Sequence, residues 1–179
     1  MIKTENQIYS DVITFIKEAL ENFQIDGWKV IKLSQPLKYI TLNNFIFVSL
    51  LTSSQRGTQF TRTKLENGEL VVNEVYKEEL TFQVGAIRRE RETDTVETLS
   101  GKDILKLITS WLVSTNGLKR VKNANYSIYN PSDIRLTKAK SDSDNSLIYP
   151  TLDITFITEQ SWDTPIEAVS EYKSKMKGI

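Results

Sequence analysis

The sequence predicts an α+β fold: one mainly antiparallel sheet with two principal helices packed on it, a projecting β-hairpin and a short C-terminal helix. Three observations lead there. From Val75 to Arg91 the chain alternates, with Tyr76, Leu80, Phe82, Val84 and Ala86 on one side and Lys77, Glu79, Thr81 and Gln83 on the other. A strand turns successive side chains to opposite faces, so this is a long, half-buried strand in the middle of a sheet. Two stretches, Thr4–Phe23 and Ser100–Leu112, repeat their apolar residues at helical spacing. Asn67-Gly68 lies between two extended runs, which is the sequence signal of a tight hairpin.

Taken in order, Thr4-Glu5-Asn6-Gln7 has the form of a capping box, and Ile8, Val12, Phe15, Ile16, Ala19, Leu20 and Phe23 follow as one apolar stripe. Asp26-Gly27 is expected to end this helix in a turn. Trp28–Leu33 reads as a short strand. Phe45–Leu51 is apolar on both faces, as in a strand covered on both sides. The hairpin arms, Thr58–Leu65 and Leu70–Val75, carry few large apolar residues, so an arm at about 58–75 is expected to project from the body. The central strand then runs into Arg88-Arg89-Glu90-Arg91-Glu92, a charged strand end, and Thr93–Leu99 is a polar connection.

Ser100 is placed as the N-cap of the second helix, with Asp103 favourable in its first turn. Ile104, Leu105, Ile108, Trp111 and Leu112 form its buried stripe, and Asn116-Gly117 is read as its end. Tyr126–Tyr129 and Asp133–Thr137 read as short strands split by Asn130-Pro131. A polar loop expected to be mobile follows at about 138–147. Ile148–Glu159 is the last strong strand, with Pro150 marking an edge or an entry point. Thr164-Pro165 opens a short helix bearing Ile166, Val169 and Tyr172. No repeat and no Pro- or Gly-rich linker divides the chain, so 1–179 is expected to be one domain.

Composition limits the chemistry. Lys plus Arg and Asp plus Glu are both 23, so no surplus of positive charge exists to neutralise many phosphates over the whole surface. Cysteine and histidine are absent, which removes disulfides, thiolate nucleophiles, Ser–His systems and the commonest metal ligand. Asp142 and Asp144 invite a calcium reading, but the glycine and closing glutamate of such a loop are missing. The glycines form no phosphate-binding loop, and the carboxylate pairs lie on solvated stretches. No catalytic residue, cofactor or metal is expected. No apolar run approaches the ~20 residues that span a bilayer, and MIKTENQ lacks the apolar core of a signal peptide. The chain is expected to be made and kept in a cytoplasm, with no membrane partner.

Two blocks carry a resemblance. One is ELTFQVGAIRRE (Glu79–Glu90) followed by GKDILKLITSWLVS (Gly101–Ser114), a strand feeding a helix. The other is YPTLDITFITEQSWDTPIEAV (Tyr149–Val169). With the N-terminal helix and the two-sided strand, this order resembles the neck and tail-terminator proteins of tailed bacteriophages. The resemblance implies a non-enzymatic virion protein, a small α+β subunit that closes into rings, commonly of six. Such rings cap the tail tube and join it to the head connector, with DNA only passing through the channel. A different head–tail joint, such as a head-completion or tail-adaptor protein, and a small monomeric protein-binding module are the alternatives. On this reading the hairpin with Arg62, Asn67, Gly68 and Glu69 is the arm that crosses to a neighbour. Arg88, Arg89 and Arg91 either pair with acidic groups of that neighbour or line the channel.

Overall fold

In a computed structural model the alternating stretch is the central strand of the protein. The structure describes residues 2–34, 36–66, 69–89, 98–129, 131–139 and 147–164. In chain order these hold α1 (Glu5–Asn22), β1 (Lys29–Lys32), a 3-10 turn (Leu37–Tyr39), β2 (Asn44–Glu66), β3 (Glu69–Arg88), α2 (Gly101–Leu112), α3 (Thr115–Asn123), β4 (Tyr126–Ile128), β5 (Arg135–Ala139) and β6 (Leu147–Thr164). The strands form one six-stranded sheet, ordered β1-β2-β3-β6-β4, with β5 also on β6. Only the β1–β2 pair is parallel among the described residues.

The two faces of β3 follow the sequence alternation. Leu80, Phe82, Val84 and Ala86 are buried, facing their partners Phe156, Ile154 and Leu152 on β6 and Val48 and Ile46 on β2. The helices cover this face. From α1 come Ile8, Tyr9, Val12, Phe15, Ile16, Ala19 and Leu20; from α2 come Ile104, Leu105, Ile108, Trp111 and Leu112. Phe156 sits at the centre of an aromatic cluster, with ring centroids 6.1 Å from Phe15, 6.1 Å from Phe82 and 6.0 Å from Tyr126.

Among the described residues the opposite face is covered only at one end. There Phe45, Phe47, Ile87, Tyr149 and Ile40 make a second, smaller core beneath the segment that carries the 3-10 turn. This accounts for the two-sided pattern of Phe45–Val48. Leu51, assigned to the same strand, is exposed because the helix layer and the small core both stop short of it. Gly85 lies opposite Phe47, whose ring lies over it toward Tyr149 (centroids 5.6 Å); any Cβ at position 85 would run into that ring.

The predicted capping box is present at Thr4/Gln7, and the predicted N-cap Ser100 forms a second one with Asp103. Other boundaries differ. Helix α1 ends at Asn22, before Asp26-Gly27, because Gln24 takes a positive φ of 55° and Ile25 N–H donates to Leu20 O at 2.9 Å. This closes the last turn in a Schellman-type cap without glycine. Phe23, counted in the stripe, is the C-cap and is exposed.

Asn116-Gly117 does not end a helix; it lies in the first turn of a third helix that the periodicity did not reveal. Ser114 caps α3 by accepting the Gly117 N–H at 3.1 Å, and Val121 provides its buried anchor. The described residues therefore hold three helices where two principal ones were expected. Pro150 sits just past the last β3–β6 pair, Gly85↔Thr151, consistent with an entry point on a strand that is internal to the sheet. Strand β6 also continues to Thr164, through residues read as a connection. The predicted C-terminal helix, the tip Asn67-Gly68, Arg91, most of the Thr93–Leu99 connection and most of the 138–147 loop lie outside the described residues.

Candidate assembly interface

The predicted hairpin is the far half of a longer one. Strands β2 and β3 pair from Asn44↔Arg88 to Glu66↔Glu69, with register shifts between Leu50 and Thr52 and between Arg56 and Phe60. Nor does this half stand as a two-stranded ribbon, because β6 follows β3 out to Val72↔Thr164. The arm is three-stranded through most of its length, and three strands hold a shape that an isolated hairpin in water does not. Few apolar groups fix it. Val75 is buried, Tyr76 packs on Trp162 with centroids 5.6 Å apart, and Asn73 Nδ2 donates to Asp163 Oδ1 at 2.8 Å.

A belt of polar contacts fastens the arm to the body where the apolar core ends. Ser53 Oγ donates to Glu78 Oε1 at 2.6 Å, and Gln160 Nε2 donates to Glu78 Oε2 at 2.8 Å. The Lys3 backbone N–H donates to Gln160 Oε1 at 2.8 Å. Gln160 is fully buried, so its satisfied amide is a specific requirement of this site and not a surface accident. Lys3 Nζ continues to Asp11 Oδ2 at 2.7 Å and Ala124 O at 2.9 Å, and it lies 4.2 Å from the centre of the Tyr126 ring.

Tyr126 donates its hydroxyl to Asp11 Oδ2 at 2.9 Å. Burial first, and then the Asp11 carboxylate, push this phenol well above the usual tyrosine range. The folded state thus holds a proton that the unfolded chain releases near pH 10, and stability falls with rising pH from there upward. Thermal melts across pH 8–11 are expected to show this loss, and Tyr126→Phe is expected to lessen it, with the share of Tyr76 and Tyr149, also raised by burial, remaining, while lowering stability by about 1 kcal/mol at neutral pH.

Pairing groups remain open on the arm. Beyond Val48, the last residue paired with β1, the outer side of β2 carries no strand among the described residues, and Tyr9 OH accepts the Leu50 N–H there at 2.8 Å. The other margin of the sheet is covered as far as Thr158 by β4 and β5, together with Tyr129 N–H on Thr155 O and Ser132 N–H on Asp153 O, both at 2.9 Å; beyond Thr158 the outer side of β6 also carries no strand among the described residues. An uncovered strand margin is a template for another chain unless it is blocked.

The residues predicted for the interface fall in different places. Arg62 is on the arm, 3.7 Å from Glu159 and stacked over Phe60 at 5.0 Å. Glu69 begins β3 opposite Glu66. Arg88 and Arg89 lie at the other end of that strand and hold their own chain: Arg88 donates to Leu99 O at 3.3 Å, and Arg89 to Ile40 O at 2.6 Å. The structure therefore separates Arg62 and Glu69 from Arg88 and Arg89 by the length of β3. The polar belt escaped the sequence reading because its members are distant in the chain, and no local period marks Gln160 as buried. Also unread were Leu136 and Ile148, 72% and 60% exposed at the margin of the body.

Among the described residues no group of three or more acidic side chains is placed to hold a metal, and no helix is long and apolar enough to cross a membrane. No curated protein matches the chain. Among solved structures it is similar to a PVC sheath/tube terminator of an extracellular contractile injection system, seen by cryo-EM in the extended state. The TM-score is 0.49 and the identity 8%, and the match covers 90% of this chain and 58% of that one. The model of the family described as E217 gateway protein gp29 matches residues 7–168, and the chain belongs to that family.

Proposed function

We propose that this protein is the subunit of a ring at the neck or tail end of a phage particle, in which the arm of each copy engages the next. The chain is a structural protein of the head–tail joint, as its family is a phage head–tail gateway. It is associated with the virion, with the tail tube and with head components. The finer reading is that six copies close the ring, that the ring ends the tube and docks the head connector, and that DNA only passes through its centre. No catalysis is part of this role, and the lack of histidine and cysteine supports that.

The observation that carries the ring is the three-stranded arm, fixed at its root by buried polar contacts and open along β2. A contact between two different patches of one chain, repeated about an axis, closes into a ring when the rotation closes. Deleting Glu66–Glu69 is expected to abolish ring formation, read by native mass measurement and electron microscopy in the presence of tail tubes. The circular dichroism spectrum and thermal midpoint should stay close to those of the parent. Rings of unchanged size and yield after this deletion would overturn the arm's role.

A further inference from the structure

On the helix side of the sheet, apolar packing gives out where the arm meets the body. Leu80 and Phe156, opposite each other, are the last buried apolar pair there. The next two rungs on that face set Glu78 opposite Thr158 and Tyr76 opposite Gln160, and Thr158 and Gln160 are both 1% exposed. Cover by flanking strands has also ended, β1 at Val48 and β4 at Thr158. Strand β2 is irregular on both sides of this level, at Leu50/Thr52 and at Arg56/Phe60, and a bulge bends its strand and raises the local twist. The root of the arm is thus a narrow cross-section of β2, β3 and β6 set between two bends.

A row of hydrogen bonds crosses this section. Ser53 of β2 donates to Glu78 Oε1, Gln160 of β6 donates from Nε2 to Glu78 Oε2, and the Lys3 N–H donates to Gln160 Oε1. The orientation of the Gln160 amide is forced, since a carboxylate only accepts and a backbone N–H only donates. Lys3 is itself held by Asp11, by Ala124 O and over the Tyr126 ring. Apolar contact has no preferred direction, whereas hydrogen bonds weaken steeply when bent, so these bonds fix the attitude of the strands more than the core does. Leverage makes that attitude matter. From Glu78 to Glu69 strand β3 runs about 30 Å at ~3.3 Å per residue, so a turn of about 10° at the root moves the tip by ~5 Å, one strand spacing.

We propose that Gln160 is the positioning residue of the arm. Its amide, held between the Glu78 carboxylate and the N-terminal segment at Lys3, sets the angle at which the arm leaves the body and hence its fit to the next copy. What the angle is used for rests on the ring reading; the angle itself belongs to one subunit.

The chain has no cysteine, so spin labels on Thr63→Cys of the arm and Lys17→Cys of α1 are the only ones present. In the isolated subunit the parent is expected to give one narrow distance distribution. Gln160→Glu sets two carboxylates face to face with no donor between them, which is unfavourable. It is expected to broaden and shift the distribution and to lower ring yield on tail tubes several-fold. Gln160→Leu, which removes both bonds without adding charge, should broaden the distribution too. Exchanging the pair, Glu78→Gln with Gln160→Glu, keeps every bond: the moved amide accepts from Ser53 and donates to the moved carboxylate, which accepts from the Lys3 N–H. This double variant should return distances and ring yield to those of the parent. Ile104→Val, a loss confined to the core beneath α2, should lower thermal stability and move neither. A folded Gln160→Glu or Gln160→Leu with the parent's distribution refutes the assignment, as does an exchange that stays as broad as the single variants. If the distances behave as expected and the parent forms no rings on tubes, the ring reading fails and the positioning role stands. If Gln160→Glu broadens the distribution yet forms rings in the parent's yield, the angle has no part in assembly and the proposal falls.

Discussion

Phe156→Ala is expected to destabilise the protein by about 3–5 kcal/mol, enough to remove much of the stability of an ordinary domain. Phe156 is fully buried and touches rings from three elements, Phe15 of α1, Phe82 of β3 and Tyr126 of β4. Its strand is hydrogen-bonded to β3 on one side and β4 on the other, so the backbone has little freedom to close the resulting void. Phe156→Leu keeps most of the volume and should cost distinctly less. Urea unfolding of the two variants beside the parent checks the order; equal losses would show that the site collapses around either side chain.

Gly85→Val is expected to cost about 1–3 kcal/mol through overpacking, at the upper end because the obstacle is a buried ring. The Phe47 ring lies against the α-carbon of residue 85 and reaches Tyr149, closing the small core on the face without helices. A side chain at 85 must displace that ring and with it the cover provided by Ile40 and the segment around it. Because the conflict is with one partner, Phe47→Leu should relieve part of it. A double-mutant cycle is therefore expected to show favourable coupling between Gly85→Val and Phe47→Leu, and strictly additive losses would disprove the contact.

The features legible in the sequence are those with a local period. The alternation of Leu80–Ala86, the stripes of α1 and α2, the capping residues Thr4 and Ser100 and the two-sided Phe45–Val48 all survive in the structure, since each records burial on a fixed face. Helix α3 was hidden because a nine-residue helix with one firm anchor, Val121, has too few turns to show a stripe, and Asn116-Gly117 looked like a stop. The end of α1 was misplaced because Gln24 adopts the left-handed conformation usually given to glycine.

At the interface, the hairpin was visible through Asn-Gly, but its third strand was not. Pairing between β3 and β6 joins residues some 66 to 92 positions apart, and no local signal carries it. Arg88 and Arg89 show the same limit. Their charge was readable, and their carbonyl partners, set by loops packed at the strand end, were not.

The two register shifts in β2 have a consequence for how this arm tolerates change. At the first, one surplus residue exchanges odd for even: Val48 and Leu50 face the helices before it, Ser53 and Gln55 after it. At the second, β2 takes four steps against two along β3, around Gly57 with its φ of 74°, and the parity is kept. Past each shift the face of a β2 residue is set by its partner on β3, so a residue lost or gained between Arg56 and Phe60 is taken up in that bulge with Phe60 still opposite Val75. The reach of the arm is then fixed by the length of β3, and β2 is free to vary at its bulges without turning the arm over.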